Sequence, residues 1–103
     1  MRLIYPALFH NEDGAYWVEF PDLIGCQSFG DTVEETIIYA KEALRIHCIT
    51  LLEHKESLNS PSDFTSIKTD ENSFVLLIDI NLPNKWCKNV KTVSEPPPHP
   101  VVS

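Results

Sequence analysis

Residues 14–26 read Gly14-Ala15-Tyr16-Trp17-Val18-Glu19-Phe20-Pro21-Asp22-Leu23-Ile24-Gly25-Cys26, and this stretch decides the fold. Its first half alternates. Tyr16, Val18 and Phe20 share one side of an extended strand, and Trp17 and Glu19 take the other. Pro21 has no N–H to give a ladder, and Asp22 and Gly25 are turn formers, so the strand stops there. Gly25 marks a backbone conformation that other residues resist. The turn sets Phe20 and Cys26 toward a core on either side of it and leaves Asp22 free to face solvent.

Upstream, Asn11-Glu12-Asp13-Gly14 is a turn cluster ending in Asp-Gly, a strong hairpin signal. Residues 2–10 before it are rich in bulky apolar and aromatic side chains and read as a strand. Pro6 inside that strand suggests an edge position or a bulge. Downstream, residues 26–30 form a short third strand that ends at Gly30. A helix starts at Asp31-Thr32-Val33-Glu34-Glu35. Either Asp31 with Glu34 or Thr32 with Glu35 has the capping-box spacing, and acidic residues in a first turn suit the helix dipole.

Val33, Ile37, Ala40, Leu44, Cys48 and Leu51 recur every three or four residues as one apolar stripe, with Ile46 and Ile49 off its centre. The helix is expected to run to about Glu56, with His54 and Lys55 in its last turn. Residues 57–72 are polar, contain Ser60-Pro61-Ser62 and read as a loop. Residues 73–82 form a near-continuous apolar run, which predicts a strand buried on both faces and therefore central. Pro83 ends it. The order β-β-β-α-β implies an antiparallel three-strand meander, one helix across a face and a last strand closing the sheet. That is an α+β two-layer sandwich. The expected division is one domain over residues 1–83 and a Pro-rich tail over residues 84–103, where Glu95-Pro96-Pro97-Pro98-His99-Pro100 suits only extended polyproline.

The chain has 103 residues and is 43% hydrophobic, which fits one domain with one modest core. No window approaches the roughly 18 consecutive apolar residues of a membrane span. The stretch Met1-Arg2-Leu3-Ile4-Tyr5-Pro6 is too short and broken for a signal peptide, so a cytoplasmic location without a membrane partner is the default. Cys26, Cys48 and Cys87 are odd in number and far apart, as suits reduced thiols rather than a disulfide framework. The net charge is −7, unevenly spread. Residues 1–79 carry 14 Asp/Glu against 5 Lys/Arg, or −9, and residues 80–103 carry 3 Lys against 1 Glu, or +2. An acidic body argues against a phosphate-backbone partner, because nucleic-acid binding is driven by basic groups. It fits a basic protein partner, and it fits plain solubility equally well.

Several of these segments together resemble a known family. Tyr5-Pro6-Ala7-Leu8-Phe9, then residues 14–26, then Gly30-Asp31-Thr32-Val33-Glu34-Glu35 and Ala40-Lys41-Glu42-Ala43-Leu44 resemble the N-terminal half of HicB-type antitoxins. The likeness covers about residues 3–56. It implies a reduced ribonuclease-H-like fold and a role in a type II toxin–antitoxin system. That role is to bind HicA, a small basic RNA-cleaving toxin, and cover its active site. Many family members carry a further C-terminal DNA-binding domain of ribbon-helix-helix or helix-turn-helix type. The sequence departs there: residues 84–103 are too few and too Pro-rich for one, so no separate DNA-binding domain and no direct nucleic-acid contact are expected.

Catalysis reads poorly by comparison. A ribonuclease-H-like nuclease needs several carboxylates converging on two divalent metals, one of them on the first strand, and residues 2–10 contain none. Asp79 is the only carboxylate inside an expected central strand. His47 and His54 stand two helical turns apart, about 10 Å, too far for one metal. Lys85, Lys88 and Lys91 read as a solvated tail rather than a phosphate site.

The leading expectation is therefore a protein-binding antitoxin, not an enzyme, with no cofactor and no metal. An RNA-binding or nuclease domain, or an orphan self-associating module, stands as the alternative. The expected partner surface is the edge of the early strands or the Pro21–Gly25 loop, with Asp13, Trp17, Glu19 and Asp22 as toxin contacts. Pro21, Gly25, Gly30 and Asp31 serve as the structural motif. An exposed strand edge also suits a homo-oligomer, dimeric or larger.

Overall fold

The Asp13–Gly14 turn sets the register of the sheet. The computed structural model describes residues 1–83; the expected polyproline tail at 84–103 lies outside the described residues. Asp13 and Gly14 both have positive φ, 52° and 82°, as a two-residue hairpin turn with the twist of its strands requires. They join β1 (Arg2–Glu12) to β2 (Ala15–Glu19). The turn pairs Glu12 with Ala15, and the ladder runs down to Leu8 opposite Glu19. From β2 the chain turns at Pro21–Gly25 into β3 (Gln27–Gly30), which pairs Tyr16 with Gly30 and Glu19 with Gln27. Gly25 has φ 92°, the left-handed conformation expected of it. The Phe20 N–H bonds to the Cys26 carbonyl at 3.2 Å, which closes the turn with both side chains buried.

The fourth strand, β4 (Ser73–Asn81), pairs antiparallel with β1 from Ser73 opposite His10 to Asn81 opposite Arg2. The sheet order is β3-β2-β1-β4. This corrects one expectation: β4 is an edge strand, and β1 is central. The apolar run at 73–82 does not mean burial on both faces. Ile78 and Ile80 are buried, whereas Leu77, on the other face, is 54% exposed. Pro6 lies inside β1, in the part that pairs with β4 before the β2 ladder begins at Leu8. Its missing N–H is tolerated because one side of β1 is locally an edge there.

Alternation then sorts the faces. Leu3, Tyr5, Ala7 and Phe9 of β1, with Val18, Ile78 and Ile80, form the buried face. The helix α1 (Val33–Glu53) covers it with Ala40, Leu44, Cys48 and Leu52. Both the four-residue spacing and the absence of a β-branched side chain at all four of these positions suit a close helix–sheet contact. The sequence stripe is fully buried at Ala40, Leu44 and Cys48 and packs against the core at Ile37 and Leu51; Thr36 and Leu52 are the buried positions that it leaves out.

Of the two capping-box options, Thr32 with Glu35 is realised. The Thr32 hydroxyl accepts from the Glu35 N–H at 3.1 Å, and the Glu35 carboxylate accepts from the Asp31 N–H at 3.1 Å. The helix ends three residues earlier than expected, because Lys55 adopts a left-handed φ of 59° and cannot continue it. His54 and Lys55 therefore follow the last turn instead of occupying it. Within the loop at 57–72, a single 3-10 turn at Phe64–Ser66 is capped by the Asp63 side chain, a feature sequence reading did not specify.

Candidate functional site

The four residues expected to contact a partner do not form one cluster. Asp13 is exposed at the hairpin tip and Asp22 sits in the loop at the opposite end of β2. Trp17 and Glu19 lie between them, on the sheet face away from α1, and both are tied to His10. The Trp17 and His10 rings stack at 3.9 Å with an interplanar angle of 11°. His10 Nε2 stands 2.7 Å from a Glu19 carboxylate oxygen. Trp17 is therefore half-buried against a neighbouring strand and not free-standing.

Asp22 holds the long loop. Its carboxylate accepts from the Ser62 N–H at 2.9 Å and from the Ser62 hydroxyl, and its carbonyl accepts from the Asn59 side chain at 2.8 Å. The Asn59 carbonyl in turn accepts from the buried Tyr5 hydroxyl at 2.6 Å. Replacing Asp22 by alanine should cost about 1–2 kcal/mol through this loop. Urea unfolding reads that cost, and a change below a few tenths of a kcal/mol would mean that the loop does not lean on Asp22.

Asp79 is engaged at the outer strand of the sheet: Arg2 stands 3.2 Å and Lys41 3.5 Å from its carboxylate. Among the described residues no three His, Cys, Asp or Glu side chains come together as a metal site. His54 is exposed, with Nδ1 2.8 Å from the Thr50 carbonyl, and His47 is half-buried.

His47 lines a feature that sequence reading missed, a groove of about 300 Å³ between the start of β3 and α1. Gly25, Cys26 and Gln27 form one wall and Ala43, Ile46, His47, Thr50 and Leu51 the other, with no Asp, Glu, Lys or Arg among them. Around it lie exposed apolar side chains: Ile24 is 93%, Ile46 59% and Tyr39 44% accessible. The signal available in the sequence was the position of Ile46 off the buried stripe.

Cys26 and His47 share this groove, but the thiol is not activated. Burial pushes Cys26 up to about 11 and, with some help from Cys26, pushes Cys48 up to about 12; a nucleophilic thiol is shifted the other way. Burial likewise raises the Tyr5 hydroxyl well above its usual value. Groups whose folded pKa is raised contribute full stability below their unfolded values, and that contribution is lost as pH rises through the folded ones. Stability should thus be flat through neutrality and fall above about pH 9. Thermal unfolding in reductant from pH 7 to pH 11 tests this, and a melting temperature that holds steady to pH 11 would contradict it.

Comparison with known proteins fits this geometry. A family model described as the HicB_like antitoxin of bacterial toxin-antitoxin systems matches residues 5–94. The chain belongs to the HicB-like antitoxin family. It is 31% identical over 83 residues to an uncharacterised 14.9 kDa protein of Haemophilus phage HP1, covering 78% of this chain and 62% of the phage protein. The match thus spans less than two thirds of that relative.

Among solved structures, the chain is similar to a toxin–antitoxin complex from Streptococcus pneumoniae, with TM-score 0.71 and 26% identity over 93% of this chain and 77% of that one. It is also similar to the N-terminal domain of the Burkholderia pseudomallei antitoxin HicB, with TM-score 0.67 and 27% identity over 78% of this chain and 100% of that one. A chain of the HicA3 and HicB3 toxin–antitoxin complex matches with TM-score 0.64 and 26% identity over 78% of this chain and 100% of that one. The α+β architecture of this HicB-like chain is the one these neighbours share.

Proposed function

We propose that this chain sequesters a small, basic ribonuclease toxin of the HicA type as the antitoxin of a type II toxin–antitoxin pair. Membership of the HicB-like antitoxin family is the observation that carries the reading. Its charge supports it, since the −9 balance of residues 1–79 would attract a basic partner and speed encounter. The chain acts by binding and not as an enzyme: Asp79 is neutralised by Arg2 and Lys41, and the buried thiols are held protonated.

No cofactor enters this reading, and residues 1–83 contact no nucleic acid directly. Asp13, Trp17, Glu19 and Asp22 remain proposed contacts, with Asp13 the most accessible of them and Asp22 divided between partner and loop. Self-association into a dimer or larger assembly belongs to the same reading. Among the described residues no helix is long and apolar enough to cross a membrane, and we place the chain in the cytoplasm.

The test is an RNA-cleavage assay with a purified small basic toxin of the HicA type. Cleavage should stop when folded full-length chain reaches stoichiometric amounts. Undiminished cleavage at a large excess of folded chain would contradict the proposal.

A further inference from the structure

The two outer edges of the sheet are unlike. On β4, Asp79 is bracketed by Arg2 and by Lys41, which reaches over from α1. Charges placed this way discourage another strand or an apolar surface from pairing there. On β3 the outer edge is unpaired among the described residues, and Gln27–Gly30 contains no charge. The apolar groove runs directly beside it.

Both rims of the groove are apolar and open to solvent. Leu23 fills the core at 3% accessibility while its neighbour Ile24 points away at 93%. Across the groove, Tyr39 and Ile46 are spaced three or four residues from the groove-lining Ala43 and Thr50, so they share that side of α1. Large apolar side chains gathered this way at a surface mark a binding site more often than chance.

The charges complete the pattern. Glu35, Glu42 and Glu53 are spaced by two and three whole turns and fall in one line along the outer side of α1, next to Tyr39 and Ile46. The basic residues Lys41 and Arg45, four apart, share the other flank, toward β4. The β3 flank of α1 is thus apolar at Tyr39 and Ile46 and lined by exposed Glu42 and Glu53.

We propose that the basic toxin docks here, on the surface formed by Ile24, the free edge of β3 and the Tyr39–Glu42–Ile46 flank of α1. This rests on the antitoxin reading above. Ile24 and Ile46 act as apolar anchors on either side of the groove, and the glutamate line steers and orients the cationic partner. A second copy of this chain fits less well, because its own Glu35 and Glu42 would be brought against theirs. The loop expected from sequence to meet the partner, Pro21–Gly25, supplies one rim.

Calorimetric titration of the full chain with a purified basic toxin of the HicA type tests the assignment. Ile24→Arg and Ile46→Arg each place a cation against the cationic partner at an exposed position, and circular dichroism checks that both variants fold. Leu77→Arg, exposed on β4, is the control. Each groove variant should weaken binding by about 30-fold or more, and the control should stay within about threefold of the parent.

Parent-like binding by both folded groove variants would overturn the docking surface and leave the antitoxin reading standing. Loss of self-association in those variants with toxin affinity unchanged would overturn it too, marking the groove as an interface between copies. Absence of binding by the folded parent would overturn both readings.

Discussion

Phe9→Ala is expected to lower the unfolding free energy by about 3–5 kcal/mol. Phe9 is fully buried in the central strand β1, opposite Val18 on one side and Phe74 on the other. Its ring stacks on Phe74 with centroids 5.2 Å apart and an interplanar angle of 12°. Alanine would forfeit both the buried ring and that contact. The ladders on both sides of β1 restrain the backbone from closing the gap. A domain of this size has about 5–15 kcal/mol in all, so the variant should be marginal at 37 °C. A urea titration with unchanged slope reads the loss directly. A cost below about 1 kcal/mol would mean that Phe9 does not sit at the centre of the core.

Gly30→Val carries the second large effect, and its sign is informative. A Cβ at Gly30 would stand 2.8 Å from the Thr36 nitrogen and 2.9 Å from its Cα, and it would also press on the Thr36 hydroxyl. That hydroxyl donates to the Thr32 carbonyl at 2.6 Å, and Thr32 is itself the cap of α1, so the first turn of the helix has little freedom to retreat. The expected cost is about 2–3 kcal/mol. Valine is otherwise the better strand residue, worth up to about 1 kcal/mol over glycine, so a variant more stable than the parent would contradict the close approach of β3 to α1. Gly25→Ala is the comparison: its φ of 92° resists a side chain but the space is empty, so the cost there should be nearer 1 kcal/mol.

Local signals read from the sequence held where one short segment carried them alone. Asp13–Gly14 fixes a hairpin because both residues must take positive φ, and Thr32–Glu35 fixes a helix start because the side chains satisfy N–H groups within the same turn. The place of β4 in the sheet was not legible, since an apolar run records how hydrophobic a strand is and not which neighbours it has. The run at 73–82 predicts a central strand, yet Leu77 faces solvent at the edge. The end of α1 was missed by three residues because nothing in His54-Lys55-Glu56 announces the left-handed turn at Lys55.

For the site, the Pro21–Gly25 loop was legible through its turn residues. The groove beside it was not, because it joins residues 25–27 to residues 43–51 and exists only once α1 lies against β3. Trp17 and Glu19 looked available in the sequence because His10, their partner, is supplied by the neighbouring strand.

The most direct test of the central claim is recovery of the full chain from its native cell, with mass measurement of whatever accompanies it. A small basic protein in stoichiometric amount, active as a ribonuclease once separated and silent when bound, is the expected result. Recovery of the folded chain alone, as a stable self-oligomer in cells that express such a toxin, would contradict it.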